Sequence, residues 1–418
     1  MREIAWYSRR PRLDLALASE LYDRVKSSAF VQNLSKYAIV NTKDLLERAR
    51  DGLKIALVYA GNKNEPDAVI ERQINSRDWK SYRLVAENIA ETLEAEGFSD
   101  VVVLPEDRHL GDVISRSNID LVWLNSGGVQ GINPMAHAPA LLEMLGVPYI
   151  GHNPLAVSLL DNKHVFKSMC MAASLPTARS VVIAPSSKGC NFIDSENFQS
   201  VFYGFPGPFV IKPVSGRASK NVYFVGSKRE AKDAVEEVWN ETGHLCLVEE
   251  YLPGREFAIS IMGSRARQDG EFVTHDGPFA FSAVQRLFEP HEKIFTSMDE
   301  KPITYDRIRL LDLSRESELI REMEHLARQV FAQFTLSSLV RLDLRESGDG
   351  ELQLLEANPK PDLKRPSEHA ASITCTGLAQ RGMSYADLIV SILAERLTEL
   401  SKTRKKDSAI LKKLMVTS

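Results

Sequence analysis

The sequence predicts a parallel α/β domain followed by an antiparallel α+β region, and three observations carry that expectation. LKIALVYAG, VVVLP and IDLVWLNSGG are short apolar runs that alternate with helical stretches, the pattern of a parallel sheet built by right-handed crossovers. Beyond about residue 160 the texture changes to strand pairs joined by Pro- and Gly-containing turns. A length of 418 residues exceeds what one hydrophobic core serves, so two or three domains are expected.

Residues 1–50 read as a helical N-terminal extension, with Leu15, Leu17, Leu21 and Val25 near helical spacing and no evident chemistry. Residues 51–160 form the first α/β domain. Its strand at Leu53 is followed by a helix from Ser81 to Glu96 stopped by Gly97, then VVVLP, a short helix, IDLVWLNSGG, and the helix and short strand of ALLEMLGVPYIG. Residues 161–250 begin with a helix from Lys163 to Ala173. The strands ARSVVIA, PFVIKPV and KNVYFVGS and the helix REAKDAVEEVWNE follow. HLCLVEEYLPGREFAISIMG reads as a strand pair across Pro253-Gly254. Residues 251–400 carry a helix from Leu319 to Phe334, the hairpin SSLVRLDLRESGDGELQLLEANP and the closing helix SYADLIVSILAERL. Residues 401–418 are a basic tail, expected as a solvated helix.

Bulk composition excludes several classes. With 44% hydrophobic and 26% charged residues the chain reads as an ordinary soluble protein, and a net charge of −4 gives no nucleic-acid footprint. Its four cysteines lack any C-x-x-C pair, which suits reduced thiols in a cytoplasmic protein. The charged N-terminal stretch is unlike a secretory signal. The longest stretch without Asp, Glu, Lys or Arg, Leu121 to Leu142, is interrupted by Gly127, Gly128, Gly131, Pro134 and Pro139. It therefore reads as a buried strand entering a loop, and no membrane partner is expected.

Chemistry concentrates in the hairpin. Arg341 and Asp343 lie two apart on one strand, and Glu356 and Asn358 two apart on the other, so each pair shares a face. Two carboxylates and an amide oxygen are hard ligands suited to Mg²⁺ that shares substrate phosphates. Arg341 adds a cationic fork for phosphate or carboxylate oxygens. Lys212 ends an apolar strand, where an ammonium is costly without an anion, and the small-residue loop from Ser215 to Ser219 can offer backbone N–H groups to phosphates. Lys163 and Lys167, one helical turn apart, are a second possible phosphate grip. In LVEEYLPGRE the exposed backbone of Tyr251 and Leu252 suits a planar base edge, and the returning Glu256 suits ribose hydroxyls. Each piece alone also fits an ordinary charged surface; their order and spacing together are far more specific.

K-P followed by a small-residue loop, then E-E-Y-x-x-G-x-E, R-x-D and L-E-x-N-P, resembles the ATP-grasp superfamily, in its D-alanine–D-alanine ligase-like branch. The resemblance spans roughly Leu53 to Leu397 and includes LLEMLGVPYIG followed by KHVFK. It implies a pre-ATP-grasp domain followed by a two-lobed ATP-grasp fold. It implies ATP phosphates on Lys163 and Lys212 with Ser219 in the closing loop. Glu249, Glu250, Tyr251 and Leu252 would line the adenine pocket, and Glu256 would bind ribose. Asp343, Glu356 and Asn358 would carry two Mg²⁺ ions, with Mn²⁺ as a substitute, and Arg341 would steady the transferring phosphoryl group. The implied reaction activates a small-molecule carboxylate as an acylphosphate, which an amine then attacks, releasing phosphate and leaving an amide. Relatives often form homodimers through the first domain.

The departures lie on the substrate side. AGNKNEPDAVIERQINSRDWKS replaces the family's glycine turn and glutamate, although Glu65 and Glu71 are available, and LNSGGVQGIN replaces its His-Gly and Glu-Asp-Gly pattern. The phosphate loop reads SGRASKN, and the covering-loop region AVQRLFEPHEKIF lacks the family's Tyr-Lys arrangement, leaving Arg286 or Lys293 to replace the lysine. Asp362 stands where relatives keep a glycine turn, with Lys364 and Arg365 beside it, and Ser367 falls at a substrate-contacting position. The expectation is thus a ligase whose substrate is not D-alanine. The alternatives are a D-alanine–D-alanine ligase with a remodelled pocket and a catalytically inactive nucleotide-binding regulator. A dinucleotide oxidoreductase fits poorly, because SGGVQG lacks the G-x-G-x-x-G spacing.

Overall fold

The computed structural model describes residues 41–61, 64–65, 67–68, 80–184, 191–216, 219–295, 303–368, 371–403 and 409–414. Most of the expected N-terminal extension, Glu71 and Cys190 lie outside them. Cys170, Cys246 and Cys375 are buried and form no disulfide. No helix among the described residues is long and apolar enough to cross a membrane.

The first domain is the expected parallel sheet. β1 (Lys54–Tyr59), β2 (Asp100–Pro105), β3 (Leu121–Leu124) and β4 (Tyr149–Ile150) lie in the order β2-β1-β3-β4, every pair parallel. Both faces are covered, which is why the strands read as unbroken apolar runs. Ile55, Leu57 and Tyr59 meet α1 (Thr42–Gly52) and α2 (Arg83–Ala95) on one face. Ala56 and Val58 meet α3 (Leu110–Arg116) and α4 (His137–Leu145) on the other. The boundary expected at residue 50 falls inside α1, which belongs to this packing.

Two short helices, α5 (Pro154–Asp161) and α6 (Lys163–Ala172), lead into an antiparallel sheet. Its strands β5 (Ser180–Ile183), β6 (Phe209–Pro213), β7 (Tyr223–Val225) and β8 (Cys246–Glu250) lie in the order β5-β8-β6-β7. α7 (Glu196–Phe202) and α8 (Lys228–Thr242) cover one face around Phe198, Phe202, Phe209, Ile211 and Val235. The other face carries Lys212 and Glu249.

A second antiparallel sheet completes the site. β9 (Glu256–Met262), β12 (Phe279–Arg286), β13 (Ile308–Leu310), β14 (Val340–Glu346) and β15 (Leu352–Asn358) lie in the order β13-β12-β9-β14-β15. A hairpin of β10 (Arg265–Gln268) and β11 (Glu271–Thr274) stands apart, and α9 (Ser317–Gln333) packs beneath the sheet.

Two expectations are corrected. The run through Pro253-Gly254 is no strand pair: β8 and β9 belong to different sheets, and Pro253-Gly254 is the crossing between them. The glycine is required by proximity, since a Cβ at Gly254 would lie 2.5 Å from Glu346 Cβ. The basic tail is also not simply solvated. α10 (Tyr385–Thr403) and α11 (Ala409–Leu414) return to the first domain, where Ile410 and Leu414 are buried in the cluster that holds Leu45 and Leu46. Lys413 pairs with Asp120 at 2.6 Å. Hydrophobic burial by one face of the short helix outweighs the charge density of the other.

Candidate active site

The hairpin register places the expected ligands together. Asp343 lies directly opposite Glu356 and Arg341 opposite Asn358, with a register shift just beyond, between Asp343 and Leu344. Asn358 Nδ2 is 3.3 Å from Asp343 Oδ2. Arg341 grips Asp343 through Nε (2.8 Å) and a terminal nitrogen (3.0 Å), and Arg286, at the end of β12, reaches Asp343 Oδ2 at 2.8 Å. Burial pushes the Asp343 carboxyl up, but Arg286 and Arg341 overcome it and hold it down at about 2. Glu356 is likewise held below its ordinary range, with Lys163 and Lys212 opposing its burial.

Lys163 arrives because Asn162 caps α6, its Oδ1 accepting from the N–H groups of His164 and Val165. The ammonium then lies 3.2 Å from Glu356. Lys167, one turn on, does something different. It is wholly buried, pairs with Glu249 and donates to Thr177 Oγ1 at 2.8 Å. Of the two possible phosphate grips only Lys163 faces the site; Lys167 is an internal counter-ion. Lys212 stands on the face of β6 opposite Phe209 and Ile211 and pairs with Glu249 at 2.5 Å. The two ammonium groups outweigh burial and keep Glu249 below the ordinary carboxylate range.

Period-two alternation sorts the E-E-Y run. Glu249 faces inward, whereas Glu250 points to the opposite face and pairs with Arg179 at 2.7 Å, so the structure does not bring it to the site. The Tyr251 N–H donates to the Pro208 carbonyl (3.1 Å) rather than standing open to a base edge, and Leu252 is buried. Glu256 is already engaged by two arginines. Arg286 (2.6 Å) and Arg345 (3.2 Å) hold its two oxygens.

Arg345 escaped the sequence reading although it continues the period of Arg341 and Asp343. It is buried, donates to Tyr251 Oη at 3.0 Å, and lies 4.8 Å from each of the Tyr251 and Phe288 ring centroids. Ser219 donates from Oγ to the Phe295 carbonyl at 3.0 Å, bringing the phosphate loop against the segment after β12. Of the two candidates for the missing covering-loop lysine, Arg286 is buried among the carboxylates and Lys293 is exposed. Asp362 Oδ1 accepts from the Lys364 N–H at 2.9 Å, closing its own turn, and Ser367 is exposed. Arg365 turns away from the site and donates to the Asn88 carbonyl (3.1 Å) and Thr92 Oγ1 (2.9 Å) on α2.

Among the described residues no group of three or more His, Cys, Asp or Glu could enclose a metal. Asp343, Glu356 and Asn358 nevertheless suit Mg²⁺ that completes its shell with phosphate oxygens and water. A cation there would need the Asn358 amide turned over, so that Oδ1 faces inward. With Lys163, Lys212, Arg341, Arg286 and Arg345 around these carboxylates, the site is built for a polyanion and its counter-cations.

A family model described as the D-ala D-ala ligase C-terminus matches residues 169–394. The uncharacterized protein y4sG of Sinorhizobium fredii is 27% identical over 308 residues, covering 72% of this chain and 82% of that protein. The D-alanine–D-alanine ligase of Geobacter sulfurreducens is 27% identical over 305 residues, covering 73% and 86%. Among solved structures, the Bacillus anthracis D-alanine–D-alanine ligase complexed with ATP superposes with a TM-score of 0.61 at 18% identity, covering 84% of this chain and 99% of that one. The Enterococcus faecalis VanG D-Ala:D-Ser ligase gives 0.59 at 16% identity, covering 82% and 99%.

Proposed function

Because the chain belongs to the D-alanine–D-alanine ligase family of ATP-grasp carbon–nitrogen ligases, we propose that it joins a carboxylate to an amine with ATP cleaved to ADP, and that its substrates are not two D-alanines. The observation that carries this reading is the cross-strand pair of Asp343 and Glu356 set among Lys163, Lys212, Arg341 and Arg286. A binding-only relic has no need of paired carboxylates held ionised at a phosphate site.

The residues divide the work by chemistry. Lys163 and Lys212 hold phosphate oxygens, and Ser219 stands with them on the phosphate side. Asp343, Glu356 and Asn358 would hold two Mg²⁺, which supply charge neutralisation and geometry at the phosphates. Arg341, with Arg286 behind Asp343, balances charge as the carboxylate substrate takes the γ-phosphoryl group. The amine then forms the C–N bond at the acyl carbon, phosphate leaves with the C–O electron pair, and the ammonium loses its proton. Phe224, Tyr251 and Arg345 line the side proposed for adenosine, where Phe224 and Tyr251 meet edge-on at 4.7 Å.

A corner just beyond the hairpin supports the reading of a different acceptor. Lys360, two residues beyond Asn358, places its ammonium 3.4 Å from the Tyr82 ring centroid, and Lys80 lies over the same ring at 5.7 Å. A cationic aromatic corner of this kind differs from a pocket made for an alanine methyl group. The test is phosphate release from Mg-ATP with a panel of amino acids and small carboxylates. Amine-dependent ADP formation with a pair other than D-alanine supports the proposal. D-alanine sufficing alone would return the chain to its relatives' named reaction, and silence across the panel would favour a nucleotide-binding regulator.

A further inference from the structure

The segment from Leu287 to Phe295, directly after β12, is a strap fixed at several independent points. Its start is tied by the Leu287 N–H to the Arg307 carbonyl at 2.9 Å. Its middle folds on itself, the Glu292 N–H donating to the Glu289 carbonyl (2.9 Å) and Glu292 Oε2 accepting from the Glu289 N–H (3.1 Å). Arg345, which also holds Glu256, donates to the Lys293 carbonyl at 3.1 Å. The end of the strap presents the Phe295 carbonyl to Ser219 Oγ.

Glu292 and Arg307 lock this arrangement. One terminal nitrogen of Arg307 reaches both Glu292 oxygens, at 2.7 and 2.9 Å, and both side chains are nearly enclosed, at 7% and 8% exposure. The same guanidinium lies 4.3 Å from the Phe295 ring centroid, and Arg286 lies 5.3 Å from it. Phe295 therefore sits between a cation of the site and a cation outside it. A buried charge pair that also seats an aromatic ring has one favoured geometry, and losing either partner strands the other.

We infer that Glu292 and Arg307 form a clasp that holds Phe295 against Arg286 and Ser219, so that the pair sets how long a nucleotide stays bound. They are positioning residues, acting through Phe295 and the strap. The inference rests on the proposed nucleotide site and adds what keeps it shut.

The experiment is stopped-flow displacement of a fluorescent ATP analogue with Mg²⁺ from the full chain, at a temperature well below unfolding, with the nucleotide-free melting temperature of each variant alongside. Arg307→Gln and Glu292→Gln should each speed release by about tenfold, and the double variant should be no faster than either single. Arg307→Lys, which keeps the charge and packs more conservatively, should recover most of the residence time. Release within about twofold of wild type in both single variants, or effects that multiply in the double, would overturn the clasp. A wild-type chain that binds no Mg-nucleotide would instead remove the function on which it rests.

Discussion

Asp343 and Glu356 face one another across the β14–β15 ladder, each answered by its own cations: Arg341 and Arg286 at Asp343, Lys163 at Glu356. Two carboxylates so close would repel without those partners. Glu356→Gln keeps the shape but removes one charge. ADP formation should fall by about a hundredfold or more, while the urea midpoint moves little because Glu356 is only partly buried. Coupled-enzyme ADP detection and chemical denaturation check both halves, and near-normal turnover would sink the metal-ligand role.

Among the described residues too few protein oxygens meet at this pair to enclose a bare ion. Calorimetric titration of Mg²⁺ alone should give weak binding, and a non-hydrolysable ATP analogue should strengthen it by about tenfold or more. Equal affinity with and without nucleotide would show that the protein supplies the whole shell.

Lys163 and Lys167 stand one turn apart and should separate cleanly by measurement. Lys167 is wholly buried against Glu249, so Lys167→Met should cost about 3 kcal/mol of unfolding free energy. Lys163→Met should lower the melting temperature less than Lys167→Met and should weaken Mg-ATP binding. Opposite outcomes would exchange their roles.

His152 follows β4 and is enclosed, with Nε2 3.2 Å from the Leu339 carbonyl. Burial pulls its imidazole from the ordinary 6.5 down to about 4. Between those values the unfolded chain binds a proton that the folded chain refuses, so stability falls as pH drops from 6.5 towards 4 and flattens below. The loss from this group totals about 3 kcal/mol. His152→Gln, which cannot titrate, should flatten that limb in urea unfolding followed from pH 7 to pH 4.5.

The hairpin site was legible because a strand's side chains repeat every two residues, so Arg341, Asp343, Glu356 and Asn358 had to share a face once the turn was recognised. The same rule could have separated Glu249 from Glu250 and added Arg345. Lys167 was opaque because helical spacing does not say which of two lysines turns inward. Pro253-Gly254 misled because a tight turn between apolar strands reads as a hairpin, whereas the contact that forces the crossing is with Glu346, far along the chain. The tail misled by composition, since Ile410 and Leu414 are only two anchors among many lysines. The ties of the strap were opaque because Arg307, Arg345 and Ser219 all lie away from it in sequence.

The return of α10 and α11 to the first domain fixes an order of events during synthesis. Leu45, Leu46, Ala49 and Leu53 leave the ribosome early, yet they share a core with Leu388, Leu393, Leu397, Ile410 and Leu414. That core cannot close until Ile410 and Leu414 have emerged, so the parallel-sheet domain completes its packing only after the two antiparallel sheets have been translated.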